Sequence, residues 1–482
     1  MSPRPRPVQP GKLERTATAP SQRTRHADAP RAVSYAVLQA VTEDDAYANL
    51  VLPGLLSRRR LSGRDAGFAT ELTYGTLRGQ GYYDAVIARC TDRALADIQP
   101  PLLNALRLGA HQLLAMRVGA HAAVDSTVGL VRSELGIGPS KFANAVLRRI
   151  SEVPAEDWPA KATEGMSEAA AFAARSSHPE WIIRAFRQAL LAHGRPAEEL
   201  EALLAADNVP ATPALTALPG LTAVQDLLDE GAEPGRWSPV AALAAGREPA
   251  SFPSVRSGLV RVQDEGSQLV AQALLVPEID EARNTGRWLD LCSGPGGKSA
   301  LLAAIGDQRG ATLTAVELSE HRSKLVVQAL QPHRGDHEIL TGDGRDFGTE
   351  FPDQYDRVLI DVPCTGLGAL RRRPEARWRR LPADIPALAP VQRELLKSGI
   401  RAVRPGGVVA YTTCSPHAAE TIAVIEDVMK STPGLEVLDA PQALDTVAGT
   451  NIGAGSGRFA QLWPHLHGTD GMFLALLRKT GA

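Results

Sequence analysis

A chain of 482 residues that is 44% hydrophobic and 22% charged can bury several cores, and a prior of roughly 150 residues per domain points to about three units. No apolar run approaches the ~18 residues of a membrane span, and the basic N-terminus lacks the apolar core of a signal peptide, so a cytoplasmic protein is expected. The net charge of −2 hides an asymmetry, since residues 1–150 carry 20 Lys and Arg against 12 Asp and Glu, which fits either a polyanion-binding half or an ordinary solvated surface.

Residues 1–30 mix Pro, Arg, Thr and Ala without apolar periodicity and read as a disordered basic tail. Residues 31–150 read as helical throughout. Val33, Val37 and Val41 recur at helical spacing, as do Leu102, Leu106 and Leu113, and Phe142, Val146 and Ile150. Gly63 marks one turn, and Gly136-Ile137-Gly138-Pro139 marks the entry to the last helix. An all-α domain follows. Residues 151–250 are rich in Ala, Glu, Pro and Leu, with one helical stretch around Pro179–His193 and then a small, weakly patterned subdomain.

From residue 286 the pattern becomes strand–helix alternation. Strands are expected at 288–292, 312–316, 338–340, 357–361, 408–413, 435–438 and 472–477, with helices around 297–306, 319–330, 388–402 and 417–430. Such alternation gives a mostly parallel, doubly wound α/β sheet, Rossmann-like in class, which binds its ligand beyond the carboxyl ends of the strands. The domains expected are thus a tail (1–30), a helical domain (31–152), a linker or small subdomain (153–260) and an α/β domain (261–482).

The first strand leads into Cys292-Ser293-Gly294-Pro295-Gly296-Gly297-Lys298-Ser299. Glycines at that place let a ligand approach the backbone and open a helix N-terminus. A phosphate-binding P-loop is excluded, because the opening Gly of G-x-x-x-x-G-K-[ST] would be Cys292. An adenosyl cofactor fits better. Glu317 ends the second strand, where a carboxylate accepts from ribose hydroxyls. Asp343 ends the third, within reach of an adenine amino group, and Asp361 ends the fourth. A single strand-end acid is usually a solvated helix cap, but three in register with one Gly turn point to a cofactor site. A dinucleotide would share the Glu317 contact, so Glu317 alone does not exclude NAD; the turn is not G-x-G-x-x-G, and the motifs that follow favour S-adenosylmethionine.

Two segments carry the chemistry. Asp361-Val362-Pro363-Cys364-Thr365-Gly366 follows the fourth strand, and Tyr411-Thr412-Thr413-Cys414-Ser415-Pro416 follows the fifth. Carbon 5 of cytosine is a poor nucleophile. A thiolate adding to carbon 6 makes carbon 5 enamine-like, and a carboxyl group at N3 assists, a role open to Asp361. Spacing leaves open whether Cys364 or Cys414 attacks. Either thiol alone would read as an inert strand-end cysteine, whereas the pair at one cofactor site does not. Cys90, in an apolar helical segment, reads as a core cysteine. The four cysteines show no C-x-x-C or Cys/His cluster, so no metal is expected.

At these residues the chain resembles the Sun/Fmu family of RNA cytosine-5 methyltransferases, from Val262-Gln263-Asp264-Glu265-Gly266-Ser267-Gln268 to Gly468-Thr469-Asp470-Gly471-Met472-Phe473. The resemblance implies that Cys414 is the nucleophile and that Cys364 helps release the product. It also implies that the cofactor contacts are Cys292 to Lys298, Glu317, Asp343 and Asp361. The chain departs from the family in having Glu317 where Asp is usual, and His417-Ala418-Ala419-Glu420-Thr421 where an acidic pair and Asn are common. Residues 31–150 resemble the NusB-like RNA-binding fold through Ala122-Ala123-Val124-Asp125-Ser126-Thr127-Val128 and Phe142-Ala143-Asn144-Ala145-Val146-Leu147-Arg148. The combination implies a cytidine of 16S rRNA, free or in the assembling small subunit, as substrate.

The run Arg371-Arg372-Arg373-Pro374-Glu375-Ala376-Arg377-Trp378-Arg379-Arg380 holds six arginines. A charge run is most often a solvated face. Its place after the Cys364 loop suits phosphate contact instead, and Arg371, Arg372, Arg377 and Trp378 are the expected RNA contacts. His465 and His467 read as packing or capping residues. Two other functions compete: a tRNA cytosine-5 methyltransferase, and a non-catalytic RNA-binding assembly factor. Nothing in the sequence demands a symmetric partner, and a monomer is expected.

Overall fold

The computed structural model describes residues 28–480. Most of the expected tail lies outside them. Its last residues are helical, with Asp28 capping α1 by accepting the Arg31 N–H.

The chain divides into two compact units. One comprises residues up to Ala46, Leu50–Thr76 and Tyr83–Ala162, and the other Tyr47–Asn49, Leu77–Tyr82 and Thr163 onward. The helices of the N-terminal region are α1 (Ala29–Glu43), α2 (Ala48–Arg58), α3 (Gly63–Arg78), α4 (Gln80–Arg89), α5 (Pro100–Leu114), α6 (Ala120–Leu135) and α7 (Ile137–Ser151). Val33, Val37 and Val41 form the buried stripe of α1, and Val146 and Ile150 part of that of α7. Gly136, at φ +91°, makes the break between α6 and α7. Gly109 lets α5 and α7 approach closely, since a Cβ there would stand 2.6 Å from Leu147. Cys90 is a buried core residue, its thiol pushed up to about 11 by burial.

The second unit opens with helices that include Glu168–Ser176, Glu180–Ala192 and Leu200–Asp207. A small antiparallel sheet follows, built from β1 (Ala214–Ala217), β2 (Glu233–Pro234), β3 (Ala241–Leu243) and β4 (Val260–Val262), in the order β2-β3-β1-β4. Leu215, Ala242, Phe252 and Val260 form its core.

The large sheet contains β5 (Arg287–Asp290), β6 (Thr312–Glu317), β7 (Glu338–Thr341), β8 (Tyr355–Asp361), β9 (Val403–Thr413), β10 (Leu435–Leu438) and β12 (Phe473–Lys479), in the order β10-β12-β9-β8-β5-β6-β7. A short β11 (Phe459–Gln461) pairs with β12. The strands from β9 to β7 are parallel, and β12 runs antiparallel to β9. Both faces are covered, which is why Val358–Ile360 of β8 and Val408–Tyr411 of β9 read as continuous apolar runs. Leu359, Val408 and Ala410 face one core with Leu269, Leu302, Val326 and Leu444. Val358, Ile360, Val409 and Tyr411 face the other with Phe347, Leu396 and Ile425. All seven strands expected from the sequence are present. The chain leaves β5 for β6 and β7, then returns to β8 on β5's other side. That reversal opens a crevice beyond the carboxyl ends of β5 and β8, where doubly wound sheets hold ligands.

Candidate active site

Strand register fixes what meets at this crevice. Asp290 is level with Ala315 of β6 and Leu359 of β8. Two residues further on, Cys292, Glu317 and Asp361 therefore arrive together at the sheet edge. Glu317 is 4% exposed. Its Oε2 accepts the Gly294 N–H at 2.9 Å and its Oε1 accepts the Ser319 N–H at 3.0 Å. Gly294 is required here, because a Cβ would stand 2.3 Å from Glu317 Oε2. Gly296, at φ +102°, turns the chain into the helix Gly297–Arg309. Asp343 caps the helix Gly344–Glu350, and its carboxylate is held below the usual range by Arg345.

An adenosyl cofactor suits this cradle. The glycines keep its floor free of side chains. Below it Asp290 Oδ1 is buried without a hydrogen-bond partner, while Oδ2 accepts the Ser299 hydroxyl at 2.7 Å. Burial pushes the Asp290 carboxyl up to about 7 and the Cys292 thiol well above the ordinary range.

Lys298, the first side chain of the following helix to reach β8, lies 2.7 Å from Asp361 Oδ2, and Thr412 donates to Asp361 Oδ1 at 3.2 Å. Burial pulls the Lys298 ammonium down, but the Asp361 carboxylate outweighs it and the net direction is upward. Because β8 and β9 are parallel neighbours with Asp361 opposite Thr412, the loops that follow run side by side. Cys364 Sγ and Cys414 Sγ are 3.4 Å apart. The shared contact lowers the Cys414 thiol and raises that of Cys364. The backbone laces the loops further, with the Gly368 N–H donating to Cys414 O and the Gly471 N–H to Gly368 O, each at 2.8 Å.

Residues 277–478 match the family described as 16S rRNA methyltransferase RsmB/F, and residues 28–152 match the NusB family. A putative methyltransferase of Mycobacterium tuberculosis is 49% identical, over 95% of this chain and 98% of its own. A probable ribosomal RNA small subunit methyltransferase B of Bacillus subtilis is 30% identical, over 94% and 99%. The ribosomal RNA small subunit methyltransferase B of Pseudomonas putida is 32% identical, over the same shares. This chain belongs to the RsmB/F methyltransferase family. The crystal structure of PH0851 shares the fold, with a TM-score of 0.76 at 22% identity over 93% of this chain and 99% of that one. The NusB-type helical domain and the doubly wound domain expected from the sequence are thus both present, and S-adenosylmethionine is the cofactor.

In this RsmB/F methyltransferase the arginine run is largely tied into the fold. Arg377 is completely buried. Its guanidinium donates to the Ser177 and Asp207 carbonyls and to Asn208 Oδ1, and burial pulls it down to about 10. The expectation that Arg377 contacts RNA is therefore corrected: a completely buried guanidinium whose terminal nitrogens are bonded to the fold cannot reach a phosphate. Arg371 donates to Gly468 O at 2.6 Å, and Arg372 grips Asp470 through Nε at 2.8 Å. Trp378 is half-buried with its Nε1 enclosed. Arg373 is the exposed arginine of the first three, and nothing in the arginine run sets it apart from its neighbours. His467 takes the Trp463 N–H on Nδ1 and His465 pairs with Glu199, as packing and capping residues do.

Glu420 enters the sequence reading only as part of the His417–Thr421 departure from the family, with no role assigned to it. It is completely buried beneath both cysteine loops. Among the described residues, Asp307, His333 and His337 bring three donor atoms within 4.8 Å of one another. The Leu313 N–H donates to His337 Nδ1 at 3.1 Å, which puts the ring proton on Nε2, aimed at Asp307 Oδ1 at 2.9 Å. That ring keeps no free lone pair for an ion.

Proposed function

We propose that the chain methylates carbon 5 of a cytidine in 16S rRNA, with Cys414 as nucleophile, Cys364 in product release and Asp361 assisting at N3. The observation that carries this reading is the pair of thiols 3.4 Å apart, on the two loops beside Asp361 and the cofactor cradle. The small-subunit rRNA names of the relatives and the NusB match support the choice of RNA.

The Cys414 thiolate adds to carbon 6, and the electron pair displaced from the 5,6 double bond makes carbon 5 nucleophilic. Bound at Cys292 to Lys298, Glu317, Asp343 and Asp361, S-adenosylmethionine supplies an electrophilic methyl group. Asp361, with Lys298 on one oxygen and Thr412 on the other, provides the hydrogen bond that steadies charge building at N3. After transfer, carbon 5 carries both methyl and hydrogen. Removal of that proton, assisted by Cys364, reforms the double bond and expels the Cys414 thiolate. The target base must leave its stack to reach the crevice, at a cost of a few kcal/mol if paired. In this reading residues 31–152 bind RNA, 153–260 join the domains and 261–482 carry the transfer, with exposed Arg373 a better phosphate contact than Arg377.

The test is methyl transfer from labelled S-adenosylmethionine to unmethylated small-subunit rRNA, with Cys414→Ala and Cys364→Ala in parallel. Cys414→Ala should abolish transfer, and Cys364→Ala should accumulate a denaturation-resistant protein–RNA adduct. Label on tRNA but not rRNA would overturn the choice of substrate. Transfer by Cys414→Ala would overturn the nucleophile.

A further inference from the structure

We propose that Glu420 is the positioning residue that sets the two thiols against each other, a single buried carboxylate clamping the residue that follows each cysteine. This rests on the reading of Cys414 and Cys364 given above.

Glu420 ends the short turn Ala418–Glu420, six residues beyond Cys414. Its Oε1 accepts the Thr365 N–H at 2.8 Å and the Gln392 amide at 3.3 Å. Its Oε2 accepts the Thr365 hydroxyl and, at 2.6 Å, the Ser415 hydroxyl. Thr365 follows Cys364 and Ser415 follows Cys414. Gln392, on the helix Asp384–Ala402, also donates to Pro363 O at 2.9 Å, so Cys364 is held from both sides. Tyr411 donates to the Glu420 carbonyl at 2.8 Å and fixes the turn to β9.

All four groups on the carboxylate are neutral donors, and an ionised carboxyl has acceptor capacity for all of them. A buried charge is costly unless fully hydrogen-bonded. An acceptor-only group with donors converging from two loops fixes their separation, and with it the 3.4 Å contact between the sulfurs. Misplacing reacting groups by about 1 Å costs on the order of 100-fold in rate, so the clamp acts on turnover and not on binding.

The experiment compares the full-length wild type with Glu420→Ala, Glu420→Gln and Ser415→Ala on unmethylated small-subunit rRNA. It reads kcat, KM for RNA and for S-adenosylmethionine, thermal midpoint, and the rate of adduct formation in a Cys364→Ala background. Glu420→Ala should lower kcat and adduct formation about 100-fold with both KM values within about threefold of wild type. Glu420→Gln should recover to within about tenfold, because its oxygen can keep the Thr365 N–H while both hydroxyls rotate to accept from the amide. Ser415→Ala, losing one donor, should fall between them. If Glu420→Ala does not fold, the other two variants decide. The proposal is overturned if the folded variants keep wild-type kcat, or if their loss follows cofactor binding and thermal midpoint instead of adduct formation. Cys414→Ala in the same series separates the two claims. An active Cys414→Ala sinks the nucleophile assignment, whereas an inactive one beside wild-type Glu420 variants sinks only the clamp.

Discussion

Replacing Asp290 with Asn should make the protein more stable, and increasingly so as pH rises. The carboxyl is buried at the end of β5, with Oδ2 on the Ser299 hydroxyl and Oδ1 unpaired. Burial raises it from 3.8 to about 7, against the opposing Ser299 hydrogen bond. The folded chain therefore keeps this proton to a higher pH than the unfolded chain does, and unfolding releases it between about pH 4 and 7. Stability must fall as pH rises through that window. Three units at about 1.4 kcal/mol each give a full penalty on the order of 4 kcal/mol above pH 7. Of this, roughly 2.5 kcal/mol develops between pH 5 and pH 8. Asn copies the shape of the protonated acid without the titration. Urea unfolding followed by tryptophan fluorescence, with Trp288 buried two residues before the site, should show the Asp290→Asn advantage growing by about that amount from pH 5 to pH 8. An advantage that is constant or shrinks over that range would refute the argument that burial dominates this carboxyl.

Other outcomes follow from the same geometry. Gly294→Ala pushes a Cβ to 2.3 Å from Glu317 Oε2 and should weaken S-adenosylmethionine binding at least about tenfold, ~1.4 kcal/mol, with RNA affinity unchanged by titration. Arg377→Met should cost about 3 kcal/mol of stability, by leaving the buried Ser177 and Asp207 carbonyls and Asn208 Oδ1 without their donor, and leave the salt dependence of RNA binding untouched. Arg373→Ala should do the reverse, keeping stability and reducing the slope of log affinity against log salt by about one.

The sequence made the large sheet legible because each strand is a short apolar run next to a helix, and buried strands of a parallel sheet look like that. The strand-end acids and both cysteine loops were legible for a related reason, since parallel register brings strand ends together. The small sheet β1–β4 was not, because its strands are two to four residues long, one contains Pro234, and none shows alternation. The helices Glu265–Ala273, Gly344–Glu350 and Ala440–Ala448 were also missed, being too short for periodicity to declare itself beside glycine or proline. Arg377 misled because a run of arginines records charge and not burial. Its partners Ser177, Asp207 and Asn208 are remote in sequence and meet it only in the fold. Glu420 was hidden for a similar reason. Its donors Thr365, Gln392 and Ser415 come from three segments, and a lone acid after a strand carries no local mark of burial.

The claim that methylation occurs at carbon 5 through a Cys414 adduct has one direct test, the release of tritium from small-subunit rRNA labelled at the 5 position of cytidine. The account predicts one tritium lost to water for each methyl group gained, and none with Cys414→Ala. Methyl incorporation without tritium release would place the methyl group on another atom and contradict the account.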